Sequence, residues 1–226
     1  MRDAAVLIPA GGVGTRLGRR TPKQFLRLGG PPMLLSAVRP FLGHPAVHAV
    51  VVAVPAPYVV RARRLLAPAG RAVSVTVVPG GPNRQASVGR ALQAAPAGAR
   101  LLVVHDGARP FPTRALIDRV LAAARAAGAA VCALPITETV KRVAEGWVEA
   151  TLDRSTLWAV QTPQAFRAAL LREAHDKARR DGFVGTDDAM LVERLGHRVR
   201  VVPGSDRNIK VTTPADLQRA RAWVHP

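Results

Sequence analysis

The chain has 226 residues, of which 48% are hydrophobic and only 4% aromatic, and it carries a formal charge of +18. This size suits one α/β domain with a core built mostly of Ala, Val and Leu. The positive balance suits anionic partners, which are phosphorylated small molecules, nucleic acid or an anionic membrane surface. Nucleic acid is disfavoured because the arginines form no long basic run and the few aromatics cannot make a base-stacking surface. No apolar stretch approaches the ~18 uninterrupted residues of a membrane span. Cys132 is the single cysteine, so no disulfide framework or Cys-based zinc site forms within the chain. The expectation is a soluble cytoplasmic protein with no nucleic-acid and no membrane partner.

Short apolar runs recur at Ala4–Pro9, His48–Val54, Val73–Val78, Leu101–His105, Ala129–Pro135 and Arg198–Val202. Being nearly continuous rather than alternating, they suit strands buried on both faces of a sheet. After the first comes Pro9-Ala-Gly-Gly-Val-Gly-Thr-Arg16, followed by Pro22-Lys23-Gln24. The spacing fits neither the dinucleotide fingerprint nor the P-loop pattern. Glycines at 11, 12 and 14 let successive N–H groups converge on one point, a nest suited to phosphate oxygens. Arg16 adds a forked donor and Lys23 a mobile point charge.

Further along, Pro79-Gly-Gly-Pro-Asn-Arg84 leads through Ser87 into a helix, and Val103-Val-His-Asp106-Gly-Ala-Arg109 ends a strand. Ligands bind outside the carboxyl ends of strands in open α/β sheets. An Asp placed there can hold Mg²⁺ together with substrate phosphate, or it can simply cap a turn. The residue pattern reads as helices over Pro112–Ala127, closed by Gly128, and over Pro163–Arg180, closed by Asp181-Gly182. Two more open at Thr186-Asp187-Asp188 and Thr213-Pro214, where hydroxyl, carboxylate and proline suit a helix start. Strand–helix alternation argues a mainly parallel α/β sheet. The exception is Thr139–Arg154, whose extended runs around Glu145-Gly146 read as a β-hairpin. Such a hairpin is barely stable alone. It therefore lies on something, either a second subunit or a meander of the same domain. Only four lysines occur, and Lys23 and Lys210 both fall in segments that look phosphate-directed.

Several residues read as structural. Cys132 lies in an apolar run and suits a core strand rather than a nucleophile. His105 packs at a strand end rather than serving as a general base. Asp187 and Asp188 serve the dipole and cap of a helix rather than a metal. Trp147 and Trp158 pack in the hairpin or against a second subunit.

Taken in order, the segments PAGGVGTRLG, PKQF, PGGPNRQASV, VHDGARPF, PITETVKR, LDRSTLWAVQTPQAF, TDDAMLVERLG and NIKVTTPADL closely resemble the 2-C-methyl-D-erythritol 4-phosphate cytidylyltransferases, over residues 4 to 222. The resemblance implies a single Rossmann-like, GT-A-type nucleotidyltransferase domain over 1–226. A protruding β-hairpin arm at about residues 137–156 would interlock in a homodimer. The implied reaction, in non-mevalonate isoprenoid precursor synthesis, joins CTP to 2-C-methyl-D-erythritol 4-phosphate with Mg²⁺, giving 4-diphosphocytidyl-2-C-methyl-D-erythritol and pyrophosphate. By motif, the implied catalytic residues are Arg16, Lys23 and Lys210. Ala10, Gly11, Gly14, Gly81 and Ser87 would bind nucleotide, and Asp106 the metal. Arg109, Thr139, Arg154 and Thr162 would hold the polyol phosphate, with arm residues reaching the partner's site. Pro82 departs from the pattern, since it has no N–H to donate to the base. The sister ribitol-5-phosphate cytidylyltransferases use the same nucleotide site and remain the nearest alternative. A nucleic-acid-binding protein is the alternative of another class.

Overall fold

The computed structural model describes residues 2–12, 21–69 and 73–224. Gly14 and Arg16 lie outside the described residues. Nine strands and seven α-helices fold among those described. They are β1 (Ala4–Pro9), α1 (Met33–Leu42), β2 (Val47–Val54), α2 (Val59–Leu66), β3 (Ser74–Pro79), α3 (Arg84–Gln93), β4 (Leu101–Val104) and α4 (Arg114–Ala127). Then come β5 (Ala129–Pro135), β6 (Lys141–Ala144), β7 (Trp147–Thr151), β8 (Trp158–Arg167), α5 (Ala168–Arg180), α6 (Asp188–Glu193), β9 (Arg200–Pro203) and α7 (Pro214–Val224).

Seven strands form one sheet in the order β3-β2-β1-β4-β8-β5-β9. All pairings are parallel except those of β8, which runs antiparallel to both β4 and β5. The sheet is buried on both sides because alternate residues feed two cores. Val6 and Ile8 of β1 join Val38 and Phe41 of α1 and Leu116 and Ile117 of α4 on one face. Ala5 and Leu7 join Val88 of α3, Leu171 of α5 and Val192 of α6 on the other. Each fully buried Leu, Ile or Phe in these layers contributes roughly 1.5–3 kcal/mol. This explains the nearly continuous apolar character of β1 and β2 better than strand propensity does. No described helix is long and apolar enough to cross a membrane.

The sequence pattern suggests one helix over Pro163–Arg180. The structure divides it, with Pro163 to Arg167 completing β8 and the helix beginning at Ala168. Proline at a helix start and proline in a strand look alike in sequence. Here the ladder with β5 shifts register, passing from Val131↔Gln164 to Cys132↔Gln161, so Thr162 and Pro163 fall in a bulge. A bulge is where a strand tolerates a residue without an N–H. Helices α1 and α2 have no counterpart among the elements expected from sequence, and α1 carries Pro40 inside it, a residue that sequence rules read as a break.

The expected hairpin forms, but as a separate two-stranded sheet rather than a meander of the main one. Its turn uses positive φ at Glu145 and Gly146, the backbone that matches hairpin twist. Trp147 is 79% exposed, and Val143 and Val148 are also exposed. Cys132 is fully buried, and burial pushes its thiol up to about 12, as expected of a core residue.

Candidate active site

Four loops leaving the carboxyl ends of parallel strands meet at one edge of the sheet. The turn after β1 brings Ala10, Gly11 and Gly12, and the loop after β3 brings Gly80 and Gly81. The loop after β4 brings Asp106 and Gly107, and the segment after β9 brings Asn208 and Lys210. Contact between the loops is close. A Cβ at Gly107 would stand 2.8 Å from the Cβ of Ala10, and one at Gly81 would run into Ala86 at the start of α3. Only glycine permits these approaches. Asn83 caps α3, accepting the Ala86 N–H at 2.7 Å, and the buried Ser87 hydroxyl accepts the Gly81 N–H at 3.1 Å. The Gly81 loop is thereby stapled to the first turn of α3.

A cavity of about 310 Å³ opens between these loops. Ala10, Gly11, Gly81, Ser87, Lys23 and Lys210 all line it, as does Asp106. Lys23 leads a short 3-10 turn, and a Cβ at Gly12 would stand 3.2 Å from its Cε. The two lysines singled out by sequence therefore converge on the glycine turn.

Beside it lies a second hollow of about 300 Å³, bounded by Arg109, Thr162, Gln161 and Gln164. Both hollows share Arg84, Asp106 and Lys210. These three residues make the wall between them. Arg84 Nε donates to one oxygen of Asp106 at 2.9 Å, and Lys210 Nζ lies 2.7 Å from the other. Burial alone would raise the Asp106 pKa, but the Arg84 and Lys210 charges outweigh it and hold the carboxyl well below the usual range. The opposite balance raises Arg84, where Asp188 and Asp106 overcome desolvation.

His105 is fully buried, and desolvation lowers its pKa to about 4. Its Nε2 lies 2.9 Å from the Arg109 carbonyl, which can only accept, so Nε2 carries the proton. Nδ1 then accepts from the Thr162 hydroxyl at 3.2 Å, and that hydroxyl accepts the Asp106 N–H at 3.0 Å. The ring is a neutral brace and not a base. The Thr162 hydroxyl, expected to hold substrate, is thus engaged on both sides. Arg109 donates to the Asn208 carbonyl at 2.6 Å, leaving its Nε buried and unpaired beside the second hollow.

Thr139 and Arg154 line neither hollow. Both are exposed at the base of the hairpin, where Arg154 donates to the Thr137 carbonyl at 2.6 Å. Sequence reasoning assigns no role to Arg84, although its place on the first turn after a Gly-Gly loop is a usable signal. It also reads Asp188 as a helix-dipole residue. Asp187 does cap α6, but Asp188 is a buried ion-pair partner of Arg84 at 2.7 Å.

Among the described residues no three His, Cys, Asp or Glu side chains cluster as a metal cage. The one carboxylate on the wall is Asp106, ionised and oxygen-only. Mg²⁺ commonly uses one or two carboxylates and takes its other oxygens from substrate phosphate and water. The donor set fits that mode, because Lys210, with 41% of its side chain exposed, can yield its carboxylate oxygen.

Comparison with known proteins agrees with this geometry. The sequence pattern of the 2-C-methyl-D-erythritol 4-phosphate cytidylyltransferase family matches residues 4–226. The enzyme of that name from Syntrophotalea carbinolica is 44% identical, over 97% of this chain and 95% of its own. That from Geobacter metallireducens is 43% identical, over 96% of each. The crystal structure of the Thermus thermophilus enzyme superposes with a TM-score of 0.80 at 39% identity, over 98% of both chains. That of 4-diphosphocytidyl-2C-methyl-D-erythritol synthase from Anaerococcus prevotii gives 0.87 at 26% identity, over 99% of this chain and 98% of its own. With its glycine turn, paired lysines and charged wall at the sheet edge, the chain belongs to the 2-C-methyl-D-erythritol 4-phosphate cytidylyltransferase family.

Proposed function

We propose that the protein transfers a cytidylyl group from CTP to the phosphate of 2-C-methyl-D-erythritol 4-phosphate and releases pyrophosphate, a step of isoprenoid precursor synthesis. The observation that carries this reading is the pair of hollows sharing the Arg84–Asp106–Lys210 wall. One hollow has the glycine turn and suits a nucleotide. The other, with Arg109 and the Gln161–Gln164 segment, suits the acceptor.

The acceptor phosphate is already a nucleophile, so no Ser, Cys or His is needed to make one. Its oxygen attacks the α-phosphorus of CTP, and the bond to the pyrophosphate oxygen breaks. The barrier is repulsion between anions together with alignment. Lys23 and Lys210 offset charge on the five-coordinate phosphorus and the leaving pyrophosphate, with Arg16 in the same role. Gly81 and Ser87 seat the base, while Ala10, Gly11 and Gly14 seat the phosphates through backbone groups. Asp106 would hold Mg²⁺, which when bound draws negative charge from the phosphate oxygens. Arg109 and Thr162 orient the acceptor. Thr139 and Arg154, exposed on the arm, complete the acceptor hollow of a second copy. The exposed Trp147 face accordingly belongs to a homodimer interface.

The test is pyrophosphate release with each of the four common nucleoside triphosphates, with methylerythritol phosphate or ribitol 5-phosphate as acceptor. Turnover with CTP and methylerythritol phosphate supports the reading. Preference for ribitol 5-phosphate, or for another triphosphate, overturns it.

A further inference from the structure

Asp188 lines neither hollow, yet its carboxylate is 1% exposed and ionised. Burying a charge costs several kcal/mol unless it is fully paired, so its pairing has to be explained. One oxygen accepts from His175 Nε2 at 2.9 Å, the other from Arg84 Nη1 at 2.7 Å. His175 is itself buried on α5, so the carboxylate is held from behind. The start of α6 is tied down on two further sides. Asp187 accepts from Gln164 Nε2 of β8 at 2.7 Å, and the Gly185 N–H donates to Gln85 Oε1 of α3 at 2.8 Å. The position of Asp188 is therefore fixed relative to both the sheet and α3.

Arg84 is the opposite case. It has a long side chain with several free torsions, and ordering such a chain costs up to ~2 kcal/mol. It reaches the shared wall only by spanning two carboxylates, with Nε on Asp106 and Nη1 on Asp188. The Arg84 Nε then occupies Asp106 Oδ1 and leaves Oδ2 to Lys210. We propose that Asp188 is a positioning residue for cytidylyl transfer, which fixes the Arg84 guanidinium and through it the orientation of the Asp106 carboxylate between the two hollows. The chain of contact is His175–Asp188–Arg84–Asp106–Lys210, and of these only the last three line the two hollows. The inference rests on the cytidylyl-transfer reading of that wall, but the placement of Arg84 by Asp188 can be tested without it.

The experiment uses the full chain carrying Asp188→Asn, which keeps shape and removes charge. A crystal structure is expected to show the Arg84 guanidinium out of hydrogen-bond range of Asp106. In steady state, kcat for pyrophosphate release is expected to fall about tenfold or more, with the KM for CTP changing less than about threefold, as for an interaction realised in the transition state. A merely structural role predicts fewer folded molecules with unchanged turnover per folded molecule, counted by CTP titration. Arg84 found in place on Asp106, or turnover per folded molecule within about twofold of wild type, overturns the proposal. If Asp188→Asn does not fold, Asp188→Glu carries the same two readouts, since the longer side chain keeps the charge but displaces the guanidinium. A wild-type protein without cytidylyl transfer would sink the reading of the site, while the variant's crystal structure still decides whether Asp188 holds Arg84.

Discussion

Lys210 Nζ stands 2.7 Å from Asp106 Oδ2, although the two residues lie on loops after different strands of the sheet, β9 and β4. The lysine is 41% exposed, and the carboxylate also holds Arg84. The buried carboxylate keeps Arg84 as a partner when the ammonium is removed, which limits the loss of stability, whereas a fixed cation at a reacting phosphate is worth far more. Lys210→Ala is therefore expected to lower kcat by ~10²–10³, with a loss of unfolding free energy below the ~3–5 kcal/mol of a buried charge left without any partner. Steady-state pyrophosphate release and urea unfolding on one preparation test both halves.

Gly81→Ala targets the other side of the cavity proposed to take the nucleotide. A Cβ there would run into the Cβ of Ala86 and stand 2.9 Å from its carbonyl carbon, so the loop or α3 must shift. The Ser87 hydroxyl, which also donates to the Asn83 carbonyl at 2.9 Å, would lose the Gly81 N–H that it takes at 3.1 Å. A buried hydrogen bond lost in this way costs ~1–3 kcal/mol. We expect CTP affinity, read by titration calorimetry, to fall about tenfold or more, while acceptor binding is little changed.

Acid sensitivity follows from His105. Its folded pKa is about 4, against 6.5 for a free ring. The unfolded chain therefore binds more protons between these values, and stability falls as pH drops through that window. The contribution is fully present above 6.5 and lost by about 4, and it amounts to roughly 3 kcal/mol. The lowered pKa of Asp106 acts in the same sense, but below the ordinary aspartate value of 3.8 and so outside this window. Urea unfolding across this range is expected to show the slope in wild type and a smaller one in His105→Gln.

Trp147 projects from the hairpin at 79% exposure, with Val148 at 60%. A two-stranded sheet with no packing under it is marginal in water, and an exposed apolar patch marks an interaction surface. The double variant Trp147→Asp, Val148→Asp is expected to shift the protein from dimer to monomer in sedimentation. It should also lower turnover, since Thr139 and Arg154 are proposed to serve the acceptor hollow of a second copy. A monomeric wild type would refute the interlocking arm.

Local pattern settled a good deal. The apolar runs at Ala4–Pro9 and Ala129–Pro135 are strands with those bounds, because residues buried on both faces leave no other reading. Gly128 ends α4 at φ +90, a conformation that other residues avoid. The turn at Glu145-Gly146, the cap at Asp187 and the glycine loops were equally legible, since each depends on its own few residues. What the chain could not announce was every property set by a distant partner. Pro163 became a strand residue because β5 lay ready to pair around a bulge. Asp188 became an ion-pair partner because α3 and α6 bring residues 84 and 188 together. Lys23, Lys210 and Asp106 were each recognisable as candidates, but their meeting around one cavity is a consequence of strand order. Short-range sterics and hydrogen bonding write themselves into neighbouring residues. Electrostatic pairing across the sheet depends on which loops the topology places side by side, and only the folded chain decides that.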